Sequence, residues 1–403
     1  MRKIVRRRAG RTGKNALALV TLAAGIVAAS TTASAGAAAA DSSPAPAPAL
    51  TTALRADLTR YLDAQGTADH FSAVSLRVTY PGARPGLAVS AGTTTYGGGT
   101  PVSNDALWQI GSNTKAFTSV VMLQLEAEGK LSIHDTLGKW LPQYPAWRDI
   151  TIQQLLSMTS GIPDYFGPDF IAAIQADPTR NFTVTGLIGY VAKSPLGPST
   201  YNYSNTNYLL AQLIIERATH DSYFDQVTKR ILVPVGLHDT CFAPETCRPN
   251  SASRMPTAYS MSAALPALLG KPVPPLAMTW AQGAGGLVSS LKDMTTWDRA
   301  LYGGRELPAA QQRELESLIS VTTSEPITTV TADDPLGFGL GVAQRTDPVT
   351  GVTWSYEGEG IGERVLHAYF PSSGLLIALA VNSAADNNSL ITLADTVYQT
   401  LSE

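Results

Sequence analysis

The 403-residue chain has little cysteine, little histidine and little charge, and each shortage argues against a class of function. Its two cysteines, Cys241 and Cys247, lie close together, but its five histidines are scattered and form no zinc-binding spacing with them. Lysine and arginine number 29 against 32 aspartate and glutamate, and many of the basic residues fall within positions 1–14. The remainder is therefore acidic, which argues against a nucleic-acid partner. We expect no metal and no other cofactor.

Long apolar runs are also scarce. The run at 15–30 is too short to span a membrane comfortably; it follows the basic start and precedes small residues at 33–35 that suit a cleavage site. This pattern predicts a signal peptide over 1–35 and a secreted, extracellular protein with no transmembrane anchor in the mature chain. The export route stays open. Alternating proline and alanine at 36–50 are typical of an extended linker, and in an exported chain Cys241 and Cys247 are expected to form a disulfide.

The remaining residues, 51–403, have strand-like ends and a helical middle. Runs rich in β-branched and alternating apolar residues predict strands at 71–80, 87–92, 337–344, 353–357, 365–370 and 375–382. Helical periodicity and capping residues predict helices at 51–65, 151–158, 169–176, 185–192, 207–218, 224–231, 287–301 and 389–401. This order predicts a three-layer α+β fold. One antiparallel sheet is built from both termini (51–135 and 285–403) and flanked by helices, with an all-helical lobe inserted at 136–284.

A buried helix is predicted for the apolar segment at 116–125, which Gly129 would end. Ser112 stands at the start of this helix. Residues three apart share a helix face, so Ser112 and Lys115 would bring a hydroxyl and an amine together beside the first main-chain N–H groups. A nucleophile, a base and part of an oxyanion hole would then lie within one turn.

Spacing alone does not decide this assignment. Ser289 and Lys292 have the same spacing, and there an N-cap serine followed by an exposed lysine is the simpler interpretation. A second polar element, at 201–208, precedes the helix predicted at 207–218. By itself it is typical of a turn with an N-cap.

Together, these elements and a late strand that ends in glycine resemble the penicillin-recognising serine hydrolases. That family includes D-alanyl-D-alanine carboxypeptidases, class C β-lactamases, D-aminopeptidases and β-lactamase-like esterases. The resemblance runs from about residue 105 to 382, with 110–115 as the first motif and 203–205 as the second, and the stretches 155–161 and 203–208 are especially similar to the family's exported carboxypeptidases. It implies that Ser112 is the acylated nucleophile and Lys115 its base partner. It also implies that Tyr203 relays the proton and that Asn205 is a ligand of the substrate and of the lysine.

The third motif of that family, Lys-Thr-Gly or His-Thr-Gly, is altered here. In the best register Gly358 precedes the strand at 365–370, and Tyr356 replaces the cation. The resemblance implies that the substrate lies along Tyr356, Glu357, Gly358 and Glu359, with the N–H groups of Ser112 and Glu359 holding the oxyanion. Strand alternation would place the two glutamates on one face. The field would then be negative unless Arg364 or another cation intervenes; alternatively, the glutamates are solvated and Arg364 takes the role of the missing cation.

The resemblance implies acyl transfer through an ester on Ser112. The first reading is a D-specific peptidase or carboxypeptidase acting on cell-wall-like peptides that contain D-amino acids. A β-lactamase-like esterase or weak class C β-lactamase, and a penicillin-binding sensor that acylates without turnover, stay open as alternatives. A negative field would favour neutral esters, amides or amine-bearing D-peptides over a free carboxylate. The expected partner is therefore a small peptide, ester or β-lactam, and the sequence leaves the oligomeric state open.

Overall fold

A computed structural model of the chain describes residues 47–65, 69–82, 84–385 and 390–403. The signal peptide predicted at 1–35 and most of the linker predicted at 36–50 lie outside these residues and stay predictions. Within the described part, no helix is both long and apolar enough to cross a membrane.

The strands are short and concentrated toward the two ends of the chain. They are β1 (Ala73–Thr79), β2 (Leu87–Thr95), β3 (Gly98–Pro101), β4 (Leu107–Gln109), β5 (Cys241–Phe242), β6 (Ala258–Met261), β7 (Pro272–Val273), β8 (Leu287–Ser290), β9 (Leu318–Ser320), β10 (Pro326–Ile327), β11 (Leu336–Phe338), β12 (Ala343–Asp347), β13 (Gly351–Glu359), β14 (Arg364–Phe370), β15 (Leu375–Val381) and β16 (Ser383–Ala385).

The helices fill the middle of the chain and cover the sheet. They are α1 (Ala47–Gln65), α2 (Thr114–Ala127), α3 (Leu137–Trp140), α4 (Ile152–Leu156), α5 (Pro168–Ala176), α6 (Val184–Gly189), α7 (Thr206–Thr219), α8 (Tyr223–Val227), α9 (Val233–Val235), α10 (Gln282–Gly285), α11 (Leu291–Tyr302), α12 (Ala309–Leu315) and α13 (Leu390–Ser402).

The main sheet confirms the predicted antiparallel arrangement built from both ends of the chain. Among the described residues it has ten strands, in the order β10-β9-β11-β12-β13-β14-β15-β1-β2-β3. The N-terminal strand β1 pairs antiparallel with the late strand β15, with Leu76 opposite Leu379. Residues 136–284, predicted to be all helical, also contain the short strands β5, β6 and β7.

Strand β15 shows why this sheet needs a helical layer on each face. Its seven residues are all buried. Ile377 and Leu379 belong to the core beneath the terminal helices α1 and α13, whereas Ala378 and Ala380 belong to the core that contains α2 and α11. Because successive side chains of a strand point to opposite faces, a continuous apolar run is typical of a strand covered on both sides.

The helix predicted at 287–301 is wrong in its first turn. Residues Leu287–Ser290 form strand β8, which lies between β4 and β5, and the helix starts at Leu291. Its N-cap is Ser290, whose hydroxyl accepts the N–H of Asp293, so the cap is not Ser289. The side chain of Ser289 is buried and lies 2.8 Å from the Thr240 hydroxyl. Pairing with strands that are distant in sequence overrode the helical pattern, and a local sequence pattern carries no information on such pairing.

Candidate active site

Ser112 lies in a short 3-10 turn, Gly111–Asn113, that leads into the buried helix α2. The turn packs directly on strand β13. Gly111 has φ of 51°, and a Cβ atom at this position would lie 2.5 Å from the main-chain oxygen of Glu359. Only glycine fits that backbone angle and that approach without strain. The serine is thereby held between the start of a helix and the end of a strand.

Asn113 fastens this turn to the sheet. Its side-chain amide donates to the main-chain oxygens of Ile110 and Val365, each at 2.9 Å. Its oxygen lies 2.8 Å from Nδ1 of the buried His367. Since an amide oxygen can only accept, Nδ1 carries the proton; burial lowers the pKa of His367 to about 3, which keeps the ring neutral. The sequence analysis did not single out Asn113 or His367.

The amine of Lys115 has three partners and is fully buried. Its Nζ atom lies 2.9 Å from Ser112 Oγ, 2.8 Å from Asn205 Oδ1 and 2.7 Å from the main-chain oxygen of Ala284. Burial lowers the pKa of Lys115 to about 7, and the Asp164 carboxylate acts in the opposite direction. At neutral pH the lysine therefore spends much of its time uncharged.

Tyr203 approaches the serine from the other side. Its hydroxyl lies 2.6 Å from Ser112 Oγ, and its ring passes 4.9 Å from Lys115 Nζ. Burial raises the pKa of Tyr203, so the phenol keeps its proton at neutral pH. The hydroxyl of Tyr356 follows at 3.4 Å from that of Tyr203. The structure thus brings Tyr356 together with the residues predicted from the first two motifs.

Asp164 is a neighbour of the site that the sequence analysis missed. Its Oδ2 atom accepts a hydrogen bond of 3.0 Å from the Nδ2 atom of Asn205, on the side of that amide opposite Lys115. The available signal was its position, three residues after the stretch 155–161 that contributed to the family resemblance.

Strand β13 forms the floor of the site with its main chain. A Cβ atom on Gly358 would lie 2.0 Å from the oxygen of Ile110, so no side chain fits at this position. At the hairpin tip, Gly360 donates to Glu363 at 2.8 Å, and β12 pairs with β13 only as far as Trp354. Antiparallel hydrogen bonds alternate, so the main-chain groups of Glu357 and Glu359 point away from β14, toward the edge beside Ser112.

The side chains of these two glutamates are engaged by Arg364. Its guanidinium lies 3.0 Å from Glu357 and 2.9 Å from Glu359, and Glu357 also accepts the N–H of Leu390 at the start of α13. All three charged side chains are largely buried. The glutamates are therefore not on a solvated loop. A negative field was expected here unless a cation intervened, and Arg364 is that cation. The expected negative field, which would have selected the substrate, therefore does not apply.

The two cysteines lie outside this cluster. The sulfur atoms of Cys241 and Cys247 are 2.05 Å apart, and Cys241 opens strand β5. This strand pairs with β8, whose Ser289 is a buried structural residue. The pair thus closes a short loop that begins at strand β5.

The arrangement is suited to nucleophilic chemistry. A hydroxyl lies within hydrogen-bond distance of both a neutral phenol and an amine that is partly uncharged at neutral pH. The amine can accept the hydroxyl proton, and the phenol can pass a proton onward. Main-chain N–H groups at the start of a helix and along a strand edge can stabilise a negative oxygen.

Comparison with known sequences places the chain among related proteins. The family model described as Beta-lactamase matches residues 58–401. Penicillin-binding protein 4* of Bacillus subtilis (strain 168) is 28% identical over 269 residues, which are 64% of this chain and 56% of that protein. Protein flp of Staphylococcus aureus (strain N315) is 28% identical over 225 residues, 54% of this chain and 43% of that protein. The chain thus spans about half the length of these curated relatives.

Solved structures give a closer match in length. A D-stereospecific amidohydrolase from Streptomyces sp. shares 26% sequence identity and superposes with a TM-score of 0.68, covering 85% of this chain and 98% of that one. D-amino acid amidase from Ochrobactrum anthropi SV3 in complex with D-phenylalanine gives 21% identity and a TM-score of 0.72, covering 88% and 99%. The second likeness bears on the fold alone, and it agrees with the fold predicted from the sequence.

Proposed function

The chain belongs to the beta-lactamase family of serine hydrolases, and from its site we propose that it hydrolyses amide or peptide bonds of D-amino-acid compounds through an ester on Ser112. The hydrogen bonds of Lys115 carry this proposal. The oxygens of Asn205 and Ala284 can only accept, so they take the two N–H groups of an uncharged amine. The remaining lone pair of Nζ then faces the Ser112 hydroxyl.

In the first half of the reaction, Lys115 takes the proton of Ser112 as Oγ bonds to the substrate carbonyl carbon. The carbonyl oxygen becomes negative between the N–H groups of Ser112 and Glu359, where such groups typically contribute roughly a hundredfold or more to the rate. Tyr203, which keeps its own proton at rest, passes a proton to the leaving nitrogen and is recharged from Lys115. The C–N bond breaks and the acyl ester remains.

In the second half, water attacks the ester carbon and loses a proton to the same Lys115 and Tyr203 pair. The second tetrahedral intermediate then collapses, and the ester oxygen regains a proton as Ser112. One water is consumed and one acid and one amine are released. No cofactor takes part in this scheme.

The D-configured substrate is supported by the D-stereospecific amidohydrolase, the most similar in sequence of the structures compared above. Preference for a substrate without a free terminal carboxylate is supported by the third motif. In the predicted register of the third motif, Tyr356 replaces the Lys or His of the family that the sequence resembles, and Arg364 is held by two glutamates on the strand face opposite Tyr356. A carboxylate there would have to bind beside Tyr356 without that cation.

A panel of matched substrates tests this proposal. We expect turnover of D-amino-acid amides and D-alanyl peptides, with the amidated C-terminus preferred over the free one, and weaker turnover of the L-enantiomers. The Ser112→Ala variant should have no activity on any of them. Faster hydrolysis of nitrophenyl esters or nitrocefin than of any D-amide would replace the proposal with an esterase or β-lactamase, and stoichiometric acylation without release would replace it with a sensor.

Export is proposed on the sequence pattern alone. The basic start, the short apolar run and the small residues at 33–35 support cleavage after residue 35. If so, full-length precursor expressed in an exporting host should yield extracellular protein whose N-terminal peptide begins at Gly36. Retention of the intact precursor inside the cell would contradict export.

A further inference from the structure

The loop that carries Asp164 is fixed on both sides of this residue. The Thr206 hydroxyl accepts the N–H of Tyr165 at 2.9 Å and donates to the main-chain oxygen of Pro163 at 2.8 Å. The Tyr165 hydroxyl also donates to the main-chain oxygen of Trp280. Thr206 opens helix α7 directly after Asn205. Asp164 and Asn205 are therefore held at a set distance by a clasp that contains neither of their side chains.

The contacts of Asp164 leave one orientation for the Asn205 amide. Asp164 Oδ1 accepts the N–H of Phe166 at 3.2 Å, and Oδ2 accepts Nδ2 of Asn205 at 3.0 Å. A carboxylate offers no donor, so the amide must turn its nitrogen to Asp164 and its oxygen to the lysine. The flipped amide would set its N–H groups against those of Lys115 and its oxygen against the carboxylate.

We propose that Asp164 is a positioning residue of the reaction, which orients the Asn205 amide so that the lone pair of Lys115 is left for Ser112. This inference rests on the proposed function, because it assigns the second partner of the proposed base. Asp164 touches neither the substrate nor the reacting atoms; it acts through Asn205. It extends the site from the motif residues to a carboxylate on the loop between α4 and α5.

The charge of Asp164 has a separate effect on the same lysine. The groups that face Lys115 are the Ser112 hydroxyl, the rings of Tyr203 and Tyr208 at 4.9 and 5.5 Å, and, beyond Asn205, the Asp164 carboxylate. Burial raises the pKa of the Asp164 carboxyl itself, against the lowering effects of its hydrogen bonds and of Lys115. Its negative charge favours the protonated amine and so raises the pKa of Lys115, which burial lowers. Tyr165 and Tyr203 are the titratable neighbours of Asp164 besides the lysine.

Two variants separate orientation from charge. Asp164→Asn removes the charge and places a second amide against that of Asn205, where one pair of like atoms must meet. Exchange of the two residues, Asp164→Asn with Asn205→Asp, restores every hydrogen bond. The new asparagine accepts from Phe166 and donates to the new aspartate, which accepts from Lys115. The exchange also moves the negative charge next to the amine.

The experiment measures kcat/KM on a neutral D-amino-acid amide across pH. We expect Asp164→Asn to lose roughly ten- to a hundredfold at its plateau, with the midpoint of its acid limb about one pH unit lower than in the wild type. The exchanged pair should recover at least part of the plateau, with its midpoint above the wild-type value. Asp169→Asn, which removes an exposed carboxylate at the start of α5, is the matched charge control and should leave plateau and midpoint unchanged.

A folded Asp164→Asn protein with the wild-type plateau would overturn the inference, whatever its midpoint, because the midpoint reports the charge and not the orientation of the amide. If that variant does not fold, the exchanged pair decides, and an inactive or unfolded double variant overturns the inference too. Failure of the proposed function is distinguishable, because it would appear as activity retained in Ser112→Ala. The Asp164 variants therefore test the inference only if Ser112→Ala is inactive.

Discussion

The Nζ atom of Lys115 lies 2.7 Å from the main-chain oxygen of Ala284, a fixed acceptor at the end of the short helix α10. This contact holds the lysine in a buried position that an unpaired charge would make costly. Burial lowers the pKa of the amine, so the lysine can be uncharged near neutral pH, and a base in this position must be uncharged to accept a proton.

The pH dependence of the reaction should therefore report Lys115. Since the pKa of the amine is lowered to about 7 and the uncharged form is the active one, kcat/KM should fall as the pH drops through about 7. A pH profile on a neutral substrate, with stability checked at each pH, measures this. Activity that stays level down to pH 5 would show that another group is the base.

The two tyrosine hydroxyls should contribute unequally. Tyr203→Phe removes a hydroxyl 2.6 Å from Ser112 Oγ, and we expect kcat/KM to fall by roughly 10²- to 10⁴-fold. Tyr356→Phe removes a hydroxyl that donates to Tyr203 at 3.4 Å and also interacts with Ser112, but without the close hydrogen bond that Tyr203 makes, so it should cost less than about tenfold. Steady-state kinetics on the same D-amide compares them. An equal or larger loss in Tyr356→Phe would move the proton relay to the third motif.

Gly358 should tolerate no side chain. In Gly358→Ala the new Cβ would meet the oxygen of Ile110 at 2.0 Å, so strand β13 or the nucleophile turn must shift. We expect roughly a hundredfold loss of activity and a decrease of about 1–3 kcal/mol in the free energy of unfolding. Gly98→Ala, at an ordinary φ with nothing within 4 Å, is the control. Wild-type kinetics in Gly358→Ala would show that the close packing of β13 on the Ser112 turn is not needed for activity.

Glu363 should make the fold less stable as the pH rises. Its side chain is fully buried; one oxygen accepts the N–H of Gln109, and burial raises the pKa of the carboxyl to about 8. The folded protein thus holds a proton that the unfolded chain releases above pH 4.5, so this contribution to stability is lost as the pH rises from about 4.5 through 8. Glu363→Gln should be more stable than the wild type by about 3 kcal/mol at pH 8 and nearly equal to it at pH 5.

Urea denaturation at the two pH values measures this difference. Glu325→Gln, at an exposed position, is the control and should show no pH-dependent difference. An equal effect of Glu363→Gln at pH 5 and pH 8 would mean that the carboxyl does not titrate in this window.

The parts of the fold and the site that depend on residues close together in the chain could be predicted from the sequence. The apolar run behind Ser112 predicted helix α2, and the stop at Gly129 is observed, with φ of 70° and its N–H bonded to Glu126. Ser112 and Lys115 lie three residues apart in one turn, so their proximity follows from helix geometry. The relevant atoms are 2.9 Å apart.

What the sequence could not supply were partners brought in by pairing and loops. Glu359 lies opposite Arg364 because the β13–β14 hairpin sets that register. The two glutamates, which were expected to give the substrate site a negative field, are therefore paired with Arg364. Asp164 reaches Asn205 from a loop 41 residues away. Ser289 lies in a strand because β8 pairs with β4 on one side and β5 on the other. For Asp164 and Ser289 the deciding contact is long-range, and for the glutamates it depends on the register of a hairpin.

The central claim, an ester on Ser112, is tested most directly by mass spectrometry of the trapped protein. Incubation with a fluorophosphonate or a penicillin should add one adduct per chain, and peptide mapping should place it on Ser112. Ser289→Ala should be labelled like the wild type and Ser112→Ala should not be labelled. An adduct on any other residue, or full labelling and turnover in Ser112→Ala, would contradict the account.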